Sequence, residues 1–129
     1  MAAAAAGAKE VPGSLTVGIL PRDDATVSPD IDLVIQTDLG NARNNLNVLS
    51  SQAVLACGVE GAGTASEVAL ALKAGRPVVL VRATEAARRF FAELDTQGLY
   101  QAATPGAAVA ILRDRLRIEP GPAWNAVGP

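Results

Sequence analysis

Short apolar runs alternate along the chain with segments whose apolar residues recur at helical spacing, and that alternation predicts the order of elements. Ala2 to Glu10 is an alanine run of high helix propensity, stopped by Val11-Pro12-Gly13. Leu15 to Leu20 leans towards strand and closes on the polar turn Pro21-Arg22-Asp23-Asp24, and Ile31 to Gln36 is a second strand. Ala42, Leu46 and Leu49 mark a helix over Asn41 to Ser51, with Gly40 or Asn41 as its N-cap. Ala53 to Cys57 and Pro77 to Val81 are apolar without alternation, the pattern of strands covered on both faces. Between them a glycine-rich turn leads into a helix over Thr64 to Ala74, and Gly75 sits where a left-handed C-terminal cap belongs. A helix over Thr84 to Leu94, a weak strand near Leu99 to Ala103 and a helix over Pro105 to Arg117 follow. The tail from Glu119, rich in proline and glycine, is expected to be loose.

Strands and helices at this pitch form βαβ units. The fold class predicted is therefore α/β: three layers, a mainly parallel sheet, helices on both faces and right-handed crossovers. The chain begins inside a helix with no strand before it, so the sheet is expected to be incomplete at its N-terminal side.

Composition narrows the chemistry. Half of the 129 residues are hydrophobic, enough for one core, but only Phe90, Phe91, Tyr100 and Trp124 are aromatic, so Ala, Val, Leu and Ile must fill it. Thirteen acids against eleven bases give a net charge of −2, with neither the basic face nor the aromatic platforms that nucleic acid requires. No histidine is present, which excludes imidazole-dependent triads and most zinc sites. The lone Cys57 lies in an apolar run and is expected to be a buried thiol. Met1 to Ala6 lacks a basic leader and no apolar run approaches the ~20 residues of a membrane span, so the expected location is the cytoplasm, away from membranes.

Ligands of an open parallel sheet sit beyond the carboxyl ends of its strands, and two loops fall there: Gly40 to Arg43 and Gly58 to Thr64. In the second, glycine lets the main chain approach a ligand closely, and the helix start attracts an anion such as phosphate. Gly58, Gly61, Ala62, Gly63 and Thr64 are the candidate phosphate- or nucleotide-binding residues. The loop is neither a Walker motif, since no Lys follows, nor a full dinucleotide fingerprint, since the next strand delivers Arg82 in place of an acid. Glu67 has two readings. It closes a capping box with Thr64, or it places a carboxylate beside the phosphate site. Arg43, on a first helical turn, opposes the local dipole and so calls for an anionic partner, whether a ligand or Glu67. Arg113, Arg115 and Arg117 complement the dipole of the last helix, and no metal site is expected.

Three segments, Leu15 to Pro21, Gly40-Asn41-Ala42-Arg43-Asn44 and Gly61-Ala62-Gly63-Thr64-Ala65-Ser66-Glu67 continuing to Lys73, resemble the Rossmann-like Lonely Guy (LOG) or "lysine decarboxylase-like" superfamily (SLOG), and within it the branch with molybdenum-cofactor carrier proteins. The resemblance implies one LOG-like Rossmann-type domain over residues 1–118 and a flexible tail over 119–129. It implies a nucleoside 5′-monophosphate phosphoribohydrolase, which releases the base and ribose 5-phosphate, with Arg43 and Glu67 catalytic and Gly61, Gly63 and Thr64 holding phosphate. The alternative is a non-catalytic molybdenum-cofactor carrier. Neither reading requires a resident cofactor; the molybdenum cofactor would be a bound ligand, and the other partner class is a nucleoside monophosphate or similar phosphorylated small molecule. Homo-oligomerisation is also implied. The chain departs from the hydrolase pattern at Val59-Glu60, where Pro-Gly is usual, in a loop one residue longer. Met1-Ala2-Ala3 aligns just after the family's upstream Gly-Gly-Val, so a preceding βαβ segment is expected in the gene.

Overall fold

The computed structural model describes residues 2–22, 26–95 and 97–117. These fall into two compact units, Met1–Asn47 and Val48–Pro129. The loose tail expected from Glu119 and part of the Pro21 to Asp24 turn lie outside the described residues.

In the first unit the alanine run forms α1 (Ala2–Lys9). Strands β1 (Val17–Leu20) and β2 (Leu33–Gln36) pair in parallel, Val17 opposite Leu33 and Leu20 opposite Gln36. Strand β2 starts two residues later than its apolar pattern suggests because Asp32 is engaged elsewhere. Its carboxylate accepts from the Thr16 amide at 2.8 Å and pairs with Lys9 of α1, and its own amide reaches the Thr16 hydroxyl at 3.0 Å. This cluster ties the end of α1 to the starts of both strands. The Lys9 ammonium, followed by the two Thr16 donors, lowers the Asp32 pKa from 3.8 to about 2. The helix expected from Asn41 opens as a single 3₁₀ turn, Gly40–Ala42, with Gly40 left-handed at φ 51°, and becomes α-helical only in α2 (Arg43–Leu49). Leu39 precedes that turn with no side-chain cap, so neither Gly40 nor Asn41 is the N-cap.

The second unit is a three-stranded parallel sheet in the order β3 (Val54–Cys57), β4 (Val78–Val81), β5 (Leu99–Ala102). Alternation along β4 builds two cores. Val78 and Leu80 pack with Val68, Ala71 and Leu72 of α3 (Ala62–Lys73) and Phe91 of α4 (Glu85–Leu94). Val79 and Val81 meet Ala108, Ile111 and Leu112 of α5 (Pro105–Arg115) on the opposite face. Helices thus cover both faces, and every residue of β4 is buried. Each Val or Leu so buried contributes ~1.5–3 kcal/mol.

Capping chemistry sets the helix boundaries here. Thr84 accepts from the Ala87 amide at 3.3 Å at the start of α4, and Thr104 accepts from Ala107 at 3.2 Å at the start of α5, where Pro105 occupies the first turn. Gly75, left-handed at φ 65°, ends α3 as its place in the sequence predicts. Near the end of α5 the Arg115 guanidinium lies 4.8 Å from the centre of the Tyr100 ring.

Strand β3 corrects two expectations. Ala56 is buried against α3, but Leu55 and Cys57, on the alternate face, are exposed. The run is apolar on both faces while α3 covers one of them, and β3 is terminal in the order of its sheet, so the thiol is exposed where burial was expected.

Candidate functional site

The carboxyl ends of β3, β4 and β5 line one edge of the three-stranded sheet, and the glycine-rich turn leaves from that edge. Gly58 follows β3 at φ 73°, a left-handed conformation that favours glycine, and its amide donates to the Val81 carbonyl at 2.8 Å. That bond pins the start of the turn to the end of β4. A Cβ on Gly58 would make only ordinary contact with the Glu60 side chain, so the backbone angle, rather than space, calls for glycine.

Gly61 is the N-cap of α3, extended at φ −131° and ψ 154°, with no side-chain capping bond. The helix therefore begins two residues before the expected Thr64, and this overturns the capping box. Thr64 sits in the first turn instead of at the cap, so Glu67 lies too far along the helix to return to a cap residue. A glycine that allows helix entry accounts for the earlier start. Ser66 turns its hydroxyl back to the Gly63 carbonyl at 2.7 Å. The first i→i−4 bond runs from Ala65 to Gly61 at 3.0 Å, which leaves the amides of Ala62 to Thr64 upstream of the regular ladder.

Neither Gly61 nor Gly63 has any atom within 4 Å of where a Cβ would stand, and Gly61, Ala62 and Gly63 are all exposed. The start of α3 is thus an open, positively polarised surface without a built-in anion from its own cap. Thr64 and Glu67 are half-buried on the same helix. Gly58, Gly61, Ala62, Gly63, Thr64 and Glu67 therefore belong to one contiguous strand-to-helix segment.

Arg43 belongs to the other unit, as the first residue of α2. Its Nη1 donates to the Ile19 carbonyl of β1 at 3.1 Å. The cation that opposes the α2 dipole is thereby met by a main-chain carbonyl, which neither sequence alternative foresaw.

One feature of the sheet edge carried only a faint sequence signal. Arg82, noted there for standing in place of an acid, takes a left-handed φ of 55° immediately after β4. Among the described residues no group of three or more His, Cys, Asp or Glu is placed to hold a metal ion, and no helix is long and apolar enough to cross a membrane.

The chain is similar to several known proteins. The molybdenum cofactor binding protein of Rippkaea orientalis is 43% identical, with a TM-score of 0.80 over 88% of this chain and 69% of that one. The molybdenum cofactor carrier protein of Chlamydomonas reinhardtii is 46% identical, with a TM-score of 0.79 over the same shares, 88% and 69%. An uncharacterized protein of Archaeoglobus fulgidus is 45% identical over 82 residues, 64% of this chain and 53% of its own, so the chain spans about half the length of that relative. The family model described as the SLOG cluster4 family matches residues 1–109, and this chain belongs to that family.

Proposed function

We propose that the chain binds the molybdenum cofactor as a carrier, with the phosphate of the cofactor at the start of α3. The observation that carries this reading is the exposed Gly61 to Gly63 segment at the start of α3, whose N-cap glycine offers no side-chain capping bond, in a chain 43% and 46% identical to two molybdenum-cofactor-binding proteins. Main-chain amides suit such cargo because they neutralise phosphate without titrating. Gly58 sets the turn, Gly61 and Gly63 leave room for the ligand, and Ala62 and Thr64 supply the first-turn backbone. The test adds molybdenum cofactor to the purified chain and follows its oxidation. Protection that survives Glu67→Gln supports a carrier, and absence of protection refutes it.

A second reading, hydrolysis of a nucleoside 5′-monophosphate, is favoured by one observation. Glu67 lies half-buried on α3, about one turn beyond the proposed phosphate position, where its carboxylate could stabilise oxocarbenium-like charge. This reading requires release of ribose 5-phosphate from AMP, abolished by Glu67→Gln with AMP binding retained; binding without turnover rejects it. Assembly with a second copy in the cytoplasm completes the proposal, and sedimentation of the purified chain tests the assembly.

A further inference from the structure

A separate cavity of about 220 Å³ opens at the carboxyl edge of the sheet, beyond β4 and β5. Arg82, Arg88 and Gln101 supply its polar groups, while Leu80 and Ala83, both buried, form an apolar floor. The Arg82 amide reaches the Ala102 carbonyl at 3.4 Å, which keeps the arginine beside β5. No hydrogen bond or ion pair engages the Arg82 guanidinium among the described residues. Arg88 pairs with Glu85 at 2.9 Å, but Arg89 binds the other oxygen of the same carboxylate at 2.9 Å. One acid is therefore shared by two bases. Across Arg82 to Arg89 three cations face one anion, a local charge of +2 (three minus one).

We infer that this cavity is a binding site for a small dianion of the phosphate type, held by Arg82 and Arg88 with the Gln101 amide as a further donor. Its size sets the class of guest. At about 220 Å³ it lies below the ~300–1,000 Å³ of pockets that enclose drug-sized ligands, which suits an oxyanion or the phosphate terminus of a larger molecule. Its charge matches a dianion. The apolar floor strengthens guanidinium–oxyanion bonds by keeping water from one side. Arg82 holds a left-handed angle that a glycine would adopt without strain, as expected where the side chain, and not the backbone, is what the position needs. The site goes beyond the cofactor-carrier reading, because it uses none of the residues of the Gly58 to Thr64 turn.

The experiment titrates inorganic phosphate into the full chain at low ionic strength by calorimetry, with Arg82→Gln, Arg88→Gln and Gly61→Asp in parallel. A saturable phase that weakens at least tenfold in each arginine variant and persists in Gly61→Asp establishes the site, whether or not a second phase is lost in Gly61→Asp. A binding isotherm in which no phase weakens in Arg82→Gln overturns it, as does the absence of saturable binding. Loss in Gly61→Asp alone places phosphate in the turn, which rejects the inference and leaves the carrier reading intact. Circular dichroism of each variant confirms folding; Glu85 keeps Arg89 as a partner when Arg88 is replaced.

Discussion

Replacing Gly61 by Asp should strengthen the fold and weaken ligand binding, because the two demands on this position conflict. The residue is an N-cap with extended backbone at φ −131°, open to any L-amino acid, and a Cβ would meet nothing within 4 Å. An Asp there supplies a capping side chain that the glycine at this N-cap lacks. Relative to glycine this contributes a few tenths of a kcal/mol, and the negative charge at the helix start adds ~0.3–1 kcal/mol. A net gain of ~0.5–1 kcal/mol raises the Tm by about 2–6 °C for a chain of this length. The same carboxylate would stand roughly 4 Å from a bound phosphate. Their repulsion is ~1 kcal/mol in bulk water and ~4 kcal/mol at the effective dielectric of a protein surface, a loss in affinity from about 5-fold to several hundred-fold. Gly61→Asn, which caps without charge, separates occupation of the amides from repulsion. The assay is thermal denaturation with and without the molybdenum cofactor, backed by a direct affinity measurement. A Gly61→Asp protein that binds like wild type, or that melts lower than wild type, refutes the assignment of this glycine to ligand access.

The remaining predictions concern stability and chemistry. Phe91→Ala should cost ~3–5 kcal/mol in chemical denaturation because the ring is 2% exposed, whereas Phe90→Ala, at 56% exposed, should cost far less although the two rings touch edge to face at 5.1 Å; equal costs would contradict the packing. The folded-state pKa of Asp32 is depressed, so its contribution is complete above 3.8 and is lost as pH falls through about 2. Asp32→Asn should therefore destabilise the protein at pH 7 and flatten its stability profile between those two values, and melts at pH 7, 4 and 2 that run parallel for variant and wild type would rule this out.

Much of the architecture was legible because two independent signals agreed within each element. Pro105 marks a helix start and Gly75 a helix end by residue type, and the adjoining periodicity gives the faces. The start of α3 was misplaced where those signals diverged. Thr64-Ala65-Ser66-Glu67 has the composition of a capping box, yet Gly61 enters the helix without any side chain to advertise it, so the residue with the weaker local signature takes the cap. The candidate residues of the glycine-rich turn are read from the turn itself. Arg88 and Gln101 are not, since a charge on α4 and an amide on β5 converge only through the register that sets Leu80 opposite Gln101.

Burial of the strands shows what an apolar run reports. Val78 to Val81 and Val54 to Cys57 read alike in the sequence, but only the first is covered on both faces within its unit. Strand β2 is more extreme: Leu33, Val34 and Ile35 are 50%, 40% and 43% exposed. An apolar run states that a strand is suited to burial, and the cover must come from elements whose own sequence carries no record of which strand they will meet. For β4 those elements are α3, α4 and α5, all in the same unit, so the reading succeeds. For β2 and for the Leu55 and Cys57 face of β3, a polar substitution on the exposed side gives the discriminating outcome. If nothing covers these residues in solution, Val34→Thr and Leu55→Thr should each change stability by no more than about 0.5 kcal/mol, the range of ordinary surface positions. Losses of ~1.5 kcal/mol or more in either variant, measured at two protein concentrations, would show that the face is buried in the functional assembly, and a concentration dependence would assign the cover to a second copy.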